Sequence, residues 1–168
     1  MKKTILVILV LFAAMTAKAQ WYVGGGINGE LFESHKTMSL NPDFGYTLKN
    51  APFGFGLASL FYFQQAEPDG NPLRLDVICI SPYFRYYFYE IERFYFFADM
   101  ACDVNVFGEF GWDVGLLAGV SFNITEHWSA EFNYGWIGYE QHEEKGFSIM
   151  MNASTARFAF YYKATSIN

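Results

Sequence analysis

From Trp112 to Trp136 apolar residues fall on every second position, in two consecutive runs. Trp112, Val114, Leu116, Ala118, Val120, Phe122 and Ile124 are interleaved with Asp113, Gly115, Leu117, Gly119, Ser121 and Asn123. After Thr125-Glu126-His127, the residues Trp128, Ala130, Phe132, Tyr134 and Trp136 alternate with Ser129, Glu131, Asn133, Gly135 and Ile137. A period of two means a strand, and two such runs across a short polar break mean an antiparallel hairpin. One face carries the apolar side chains with a tryptophan at each end, and the other is mostly small or polar. A sheet in water buries its apolar face. A strand crossing a membrane turns that face to lipid, keeps the polar face inside and places aromatics at both boundaries. Runs of about ten residues suit a tilted strand crossing the hydrocarbon layer.

The same alternation predicts eight strands: 21–28, 38–49, 53–64, 76–89, 94–105, the two arms of the hairpin, and one within 147–162. In the second, Leu40, Pro42, Phe44, Tyr46 and Leu48 share the apolar face. In the fourth, Ile78, Ile80, Pro82, Phe84, Tyr86 and Phe88 point outward, with Ser81, Tyr83, Arg85 and Tyr87 inward. In the eighth, Phe147–Met151 alternates out of phase with Phe158, Phe160 and Tyr162, which predicts a bulge or a rim extension. Pro42 and Pro82 would each remove a ladder hydrogen bond from a continuous strand, and bulges are expected there. Connections alternate between short (50–52, 90–93, 125–127) and longer, more polar ones (29–37, 65–74, 106–111, 138–146). Long–short alternation is the pattern of an up-and-down barrel with short periplasmic turns and longer external loops. The expected fold is therefore all-β, an eight-stranded antiparallel up-and-down transmembrane β-barrel with a polar, filled interior. An even strand count places both ends of the chain in the periplasm.

Composition strengthens this picture. Aromatic residues make up 21% of the chain, including 19 Phe and 12 Tyr, more rings than a soluble core of this size hides. After residue 20 no run approaches the ~18 uninterrupted apolar residues of a spanning helix, so the membrane reading requires a closed barrel. Lys2 and Lys3, the apolar run 5–14 and Ala17-Lys18-Ala19 read as a secretory signal peptide, residues 1–19, followed by a single barrel domain, 20–168. The formal charge is −6, and the leader holds three lysines and no acid, so the remainder is more acidic still. That balance argues against nucleic acid as a partner. Of the two cysteines, alternation turns Cys79 inward and Cys102 outward, which keeps them from bridging.

Eight strands enclose a space that side chains roughly fill, so no wide channel is expected. Asp43, Arg85, Asp99, Asp103, Glu131 and Arg157 are expected inside, along with Asn123 and Asn133. Charges there must pair or stay wet. A turn near Ile91–Glu92 places Arg85 across from Asp99 and Ser81 across from Asp103, with Glu131 and Arg157 as a second pair. Trp21, Trp112, Trp128 and Trp136 are expected as outward, boundary-marking aromatics. His35, His127 and His142 lack metal-ligand spacing, and solvated loops are the better reading. Glu140-Gln141-His142-Glu143-Glu144 reads as a charged external loop. Ser34–His35 and Ser148–His142 are the only serine–histidine neighbours near the outer rim, and neither makes a triad. Gly24-Gly25-Gly26 lacks the Lys-Ser/Thr and helix of a phosphate loop. No catalytic, metal or cofactor residue is assigned.

A family resemblance emerges from these segments. Pro82-Tyr83-Phe84-Arg85-Tyr86-Tyr87-Phe88 resembles the proline-to-aromatic fourth strand of small porin-family outer-membrane β-barrel proteins. Gly119–Gly135, with its Ile-Thr-Glu-His-Trp turn, is similar to that family's late hairpin, and Asn41-Pro42-Asp43-Phe44-Gly45-Tyr46 to its second strand. The likeness spans essentially all of 20–168 and implies fold and compartment without naming an activity. Such barrels usually end on an aromatic residue, whereas here Tyr162 is followed by Lys163 to Asn168. The expected function is a monomeric, non-enzymatic outer-membrane barrel, structural or surface-interacting. Its partners would be outer-membrane lipid and an extracellular or envelope component met by the long loops. The competing readings are a secreted lipocalin-like barrel holding an apolar ligand and a lipid-modifying outer-membrane enzyme.

Overall fold

A computed structural model describes residues 19–31, 36–48, 51–65, 73–141, 145–151 and 157–164. The expected signal peptide, apart from Ala19, lies outside the described residues. Nine strands form one sheet: β1 (Ala19–Leu31), β2 (Lys36–Leu48), β3 (Phe53–Gln65), β4 (Arg74–Ile91), β5 (Phe94–Phe107), β6 (Trp112–Asn123), β7 (Trp128–Gln141), β8 (Lys145–Met150) and β9 (Arg157–Ala164). Each of β1 to β7 pairs antiparallel with its chain neighbour. β9 lies between the lower half of β7 and the start of β1, which closes an eight-membered ring. β8 continues that eighth position upward on the other half of β7. The out-of-phase first half of the eighth segment is thus a separate strand, and 152–156 lie outside the described residues.

Closure satisfies every ladder edge around the ring where the strands pair, the condition that open sheets fail. Tight turns keep one end of the barrel compact. Ile91 pairs with Phe94, so Glu92 and Arg93 alone make the β4–β5 turn, and Glu92 takes φ 53°. The β6–β7 turn is stapled by Thr125, whose Oγ1 accepts from the backbone N–H of His127 and Trp128 at 3.2 and 3.0 Å. At the opposite end the strands run into segments expected as loops: β1 reaches Leu31, β2 starts at Lys36, β7 reaches Gln141 and β8 starts at Lys145. The acidic loop residues 143–144, with His35 and His142, lie outside the described residues.

Neither proline carries the expected bulge. The β2–β3 ladder skips from Leu40–Phe61 to Asp43–Ala58, and the β4–β5 ladder from Ile80–Val104 to Tyr83–Ala101, with the register resuming unchanged. A proline lacks only its N–H, so losing a rung on one side suffices; Pro42 still faces Gly25 and Pro82 still faces Leu57. The register shifts fall elsewhere. The one at Tyr87–Tyr89 offsets a turn centred one residue later than expected, so Arg85 still meets Asp99. In β7, Gly135 and Trp136 together oppose Leu117, and Gly135 has φ +85°, a glycine bulge that reverses the alternation.

Inside the narrow ring, bulky rings lie against glycines on the facing strand. Tyr22 faces Gly45, Tyr83 faces Gly56, Phe97 faces Gly119 and Tyr161 faces Gly24. A Cβ built on any of these glycines would run into the ring beside it. Glycine here buys room for an aromatic to lie flat along the wall. Gly119→Ala should therefore overpack the fully buried Phe97 and cost about 1–3 kcal/mol in a denaturant titration of the folded barrel. An unchanged midpoint would show that the ring moves aside freely.

Candidate functional site

The polar interior is organised around Arg85. Alternation in β4 turns Tyr83, Arg85 and Tyr87 inward, and the ladder sets Asp99 of β5 directly opposite Arg85. Arg85 Nε donates to Asp99 Oδ1 at 2.7 Å and Nη2 to Oδ2 at 2.8 Å, the two-pronged geometry in which a planar guanidinium meets a carboxylate. Nη1 reaches across the lumen to Glu131 Oε2 on β7 at 2.7 Å. The guanidinium carbon sits 3.7 Å from the centre of the Phe97 ring. Arg85 is 2% exposed and Glu131 4%, so these charges have traded water for one another.

A second cluster centres on Asp43 of β2. The Tyr83 hydroxyl lies 3.0 and 2.9 Å from its two carboxylate oxygens, and the Tyr161 hydroxyl donates to Oδ2 at 2.8 Å. Tyr22 is hydrogen-bonded to Tyr83 hydroxyl to hydroxyl. Phenols from β4 and β9 thus meet the carboxylate, with the β1 phenol behind one of them, and Asp43 makes no direct ion pair among the described residues. The two clusters cross the lumen and divide it. A cavity of about 600 Å³ opens at the end that holds the start of β1, the end of β9 and the tight turns. A smaller one, about 90 Å³, lies on the other side, lined by Cys79, Asp103, Asn133 and Arg157 among others.

No family model matches the chain, and no curated protein matches it.

Of the six interior residues expected from alternation, the structure joins Arg85, Asp99 and Glu131 in one ion cluster and gives Asp43 its own phenol shell. Asp103 is half-buried, with Ser81 as a hydrogen-bond partner. The expected Glu131–Arg157 pair does not form: Arg157 is exposed, and Glu131 is taken by Arg85. Arg157 pairs along the backbone with Asn133, one inward position beyond Glu131, which puts it in the smaller chamber. Trp136 is also corrected. The glycine bulge at Gly135 turns it inward, where it is 7% exposed and packs in the core cluster with Leu117 and Tyr161. The other three tryptophans are not buried; Trp21 stacks on Phe44 and Trp128 meets Tyr162 edge to face. Cys79 is buried, Cys102 is half-buried, and both are free.

His127 lies 3.2 Å from the Lys163 carbonyl through Nδ1 and stacks on Tyr162. Ser148 hydrogen-bonds Glu140, while Ser34, His35 and His142 are outside the described residues. Among the described residues no cluster of His, Cys, Asp and Glu has the makings of a metal site. Alternation alone missed the tyrosine shell of Asp43. The signal was present in the inward glycines of neighbouring strands, which mark where a ring must lie.

Proposed function

We propose that this chain is an integral outer-membrane protein, an up-and-down transmembrane barrel of the small porin-family type, exported by its leader. The observation that carries the reading is inverted polarity. Every ring strand exposes a large apolar side chain on the outer wall: Val23, Phe44, Leu57, Ile80, Met100, Leu116, Ile137 and Phe160. Meanwhile Arg85, Asp99, Glu131 and Asp43 are buried inside. Water does not tolerate a continuous apolar girdle of that kind, and a hydrocarbon layer requires one. A soluble barrel holding an apolar ligand needs the reverse arrangement.

Aromatics on the outer wall support the same reading. Near the end with the tight turns, Trp21 contacts Tyr46, Tyr46 stacks with Phe55, Phe53 meets Tyr86, Phe94 meets Phe122 and Trp128 meets Tyr162, all at 4.9–5.5 Å between centroids. Such a belt suits a lipid–water boundary, and that end would face the periplasm. The plug across the lumen leaves no wide pore among the described residues, which supports a structural or surface-interacting role over a channel. Membrane fractionation with a boiled and unboiled gel tests the assignment. The expected protein sediments with the outer membrane and changes mobility only on boiling. Recovery in the soluble fraction without detergent would overturn it.

A further inference from the structure

The 600 Å³ cavity has the size of a small-molecule site, about 300–1,000 Å³, and its lining is chemically specific. Arg85 does not line it and directs its donors at Asp99 and Glu131. Lys163 is the one basic side chain among the described residues that line it. Its Nζ donates to Asn123 Oδ1 at 2.6 Å, a neutral acceptor that balances no charge, and an ammonium has three protons to place. Nζ also lies 5.9 Å from the centre of the Tyr95 ring, and Tyr87 meets Tyr95 edge to face at 6.4 Å. The Ser121 hydroxyl lines the same cavity, is 1% exposed and has no hydrogen-bond partner among the described residues.

We propose that this vestibule binds a small hydroxylated monocarboxylate of the sugar-acid class. Its carboxylate sits on Lys163 and its ring face on Tyr87 and Tyr95. Ser121 takes one of its hydroxyls. Glu131, which already attracts Lys163, and Glu90 share the lining and oppose a polyanion. The vestibule has this chemistry whether lipid or water covers the outer wall.

Glucuronate and glucose, titrated by calorimetry into the full-length protein folded in lipid nanodiscs, test the proposal. Glucuronate should bind at least about tenfold more tightly than glucose. K163M should abolish the preference and K163R retain it. N123D should also abolish it, since the new carboxylate occupies the ammonium without removing it; the boiled and unboiled gel checks that each variant folds. Equal affinity for the two sugars, no saturable glucuronate binding, or an undiminished preference in folded K163M or N123D would overturn the proposal. The membrane assignment is read by fractionation, so either can fail without the other.

Discussion

Replacing Arg85 with alanine is expected to remove about 3–5 kcal/mol of folding stability, because it strands two buried carboxylates rather than one. Asp99 loses both of its guanidinium bonds and Glu131 loses its cross-lumen partner. Phe97, fully buried, also loses the cation lying on its face. Denaturant unfolding in micelles, followed by gel mobility, gives the measurement. Arg74→Ala, at the exposed head of β4, should change stability by no more than about 0.5 kcal/mol. A triple variant sharpens the point. Arg85→Met with Asp99→Asn and Glu131→Gln removes the guanidinium and both charges together, so it should recover part of what Arg85→Ala loses. If Arg85→Ala and Arg74→Ala unfold together, the ion cluster is not what holds the lumen.

The pairing at the heart of that cluster was readable before any coordinates, and for a simple reason. Alternation fixes which face a residue takes, and antiparallel hairpins with short turns fix which residue it meets. Those two facts set Arg85 against Asp99, and the pairing survives a turn one residue later only because the register shift at Tyr87–Tyr89 offsets it. Arg157 shows where such reasoning stops: its face follows from period two, but its partner depends on a β7–β9 register that no short turn sets. Trp136 shows the second failure. One glycine at positive φ inserts an extra residue, and every side chain beyond it changes face, so Ile137 and Tyr139 point outward and Trp136 inward. The tyrosine shell of Asp43 was hidden differently. Phenols gathered from three strands, two of them on the carboxylate itself, are set by the closed ring as a whole, and only the inward glycines hinted at it.

The outer wall invites the second large effect, a single charge at mid-height. Met100 sits in the middle of β5, 53% exposed, between Phe84 and Leu116 on its flanking strands. Its side chain touches none of the interior clusters, so substitution there reports on the solvent outside. If that solvent is hydrocarbon, Met100→Arg should cost about 2–4 kcal/mol in a reversible unfolding titration in lipid vesicles. Ile124→Arg, at the tight turn between β6 and β7, should cost no more than about 1 kcal/mol, since the penalty fades toward the boundary. Were water the solvent, both replacements would fall within about 0.5 kcal/mol, as exposed surface changes do. The difference between the two sites matters more than either value. Desolvation of a guanidinium grows toward mid-height, so two replacements that are both near-neutral would remove lipid from the account of this wall.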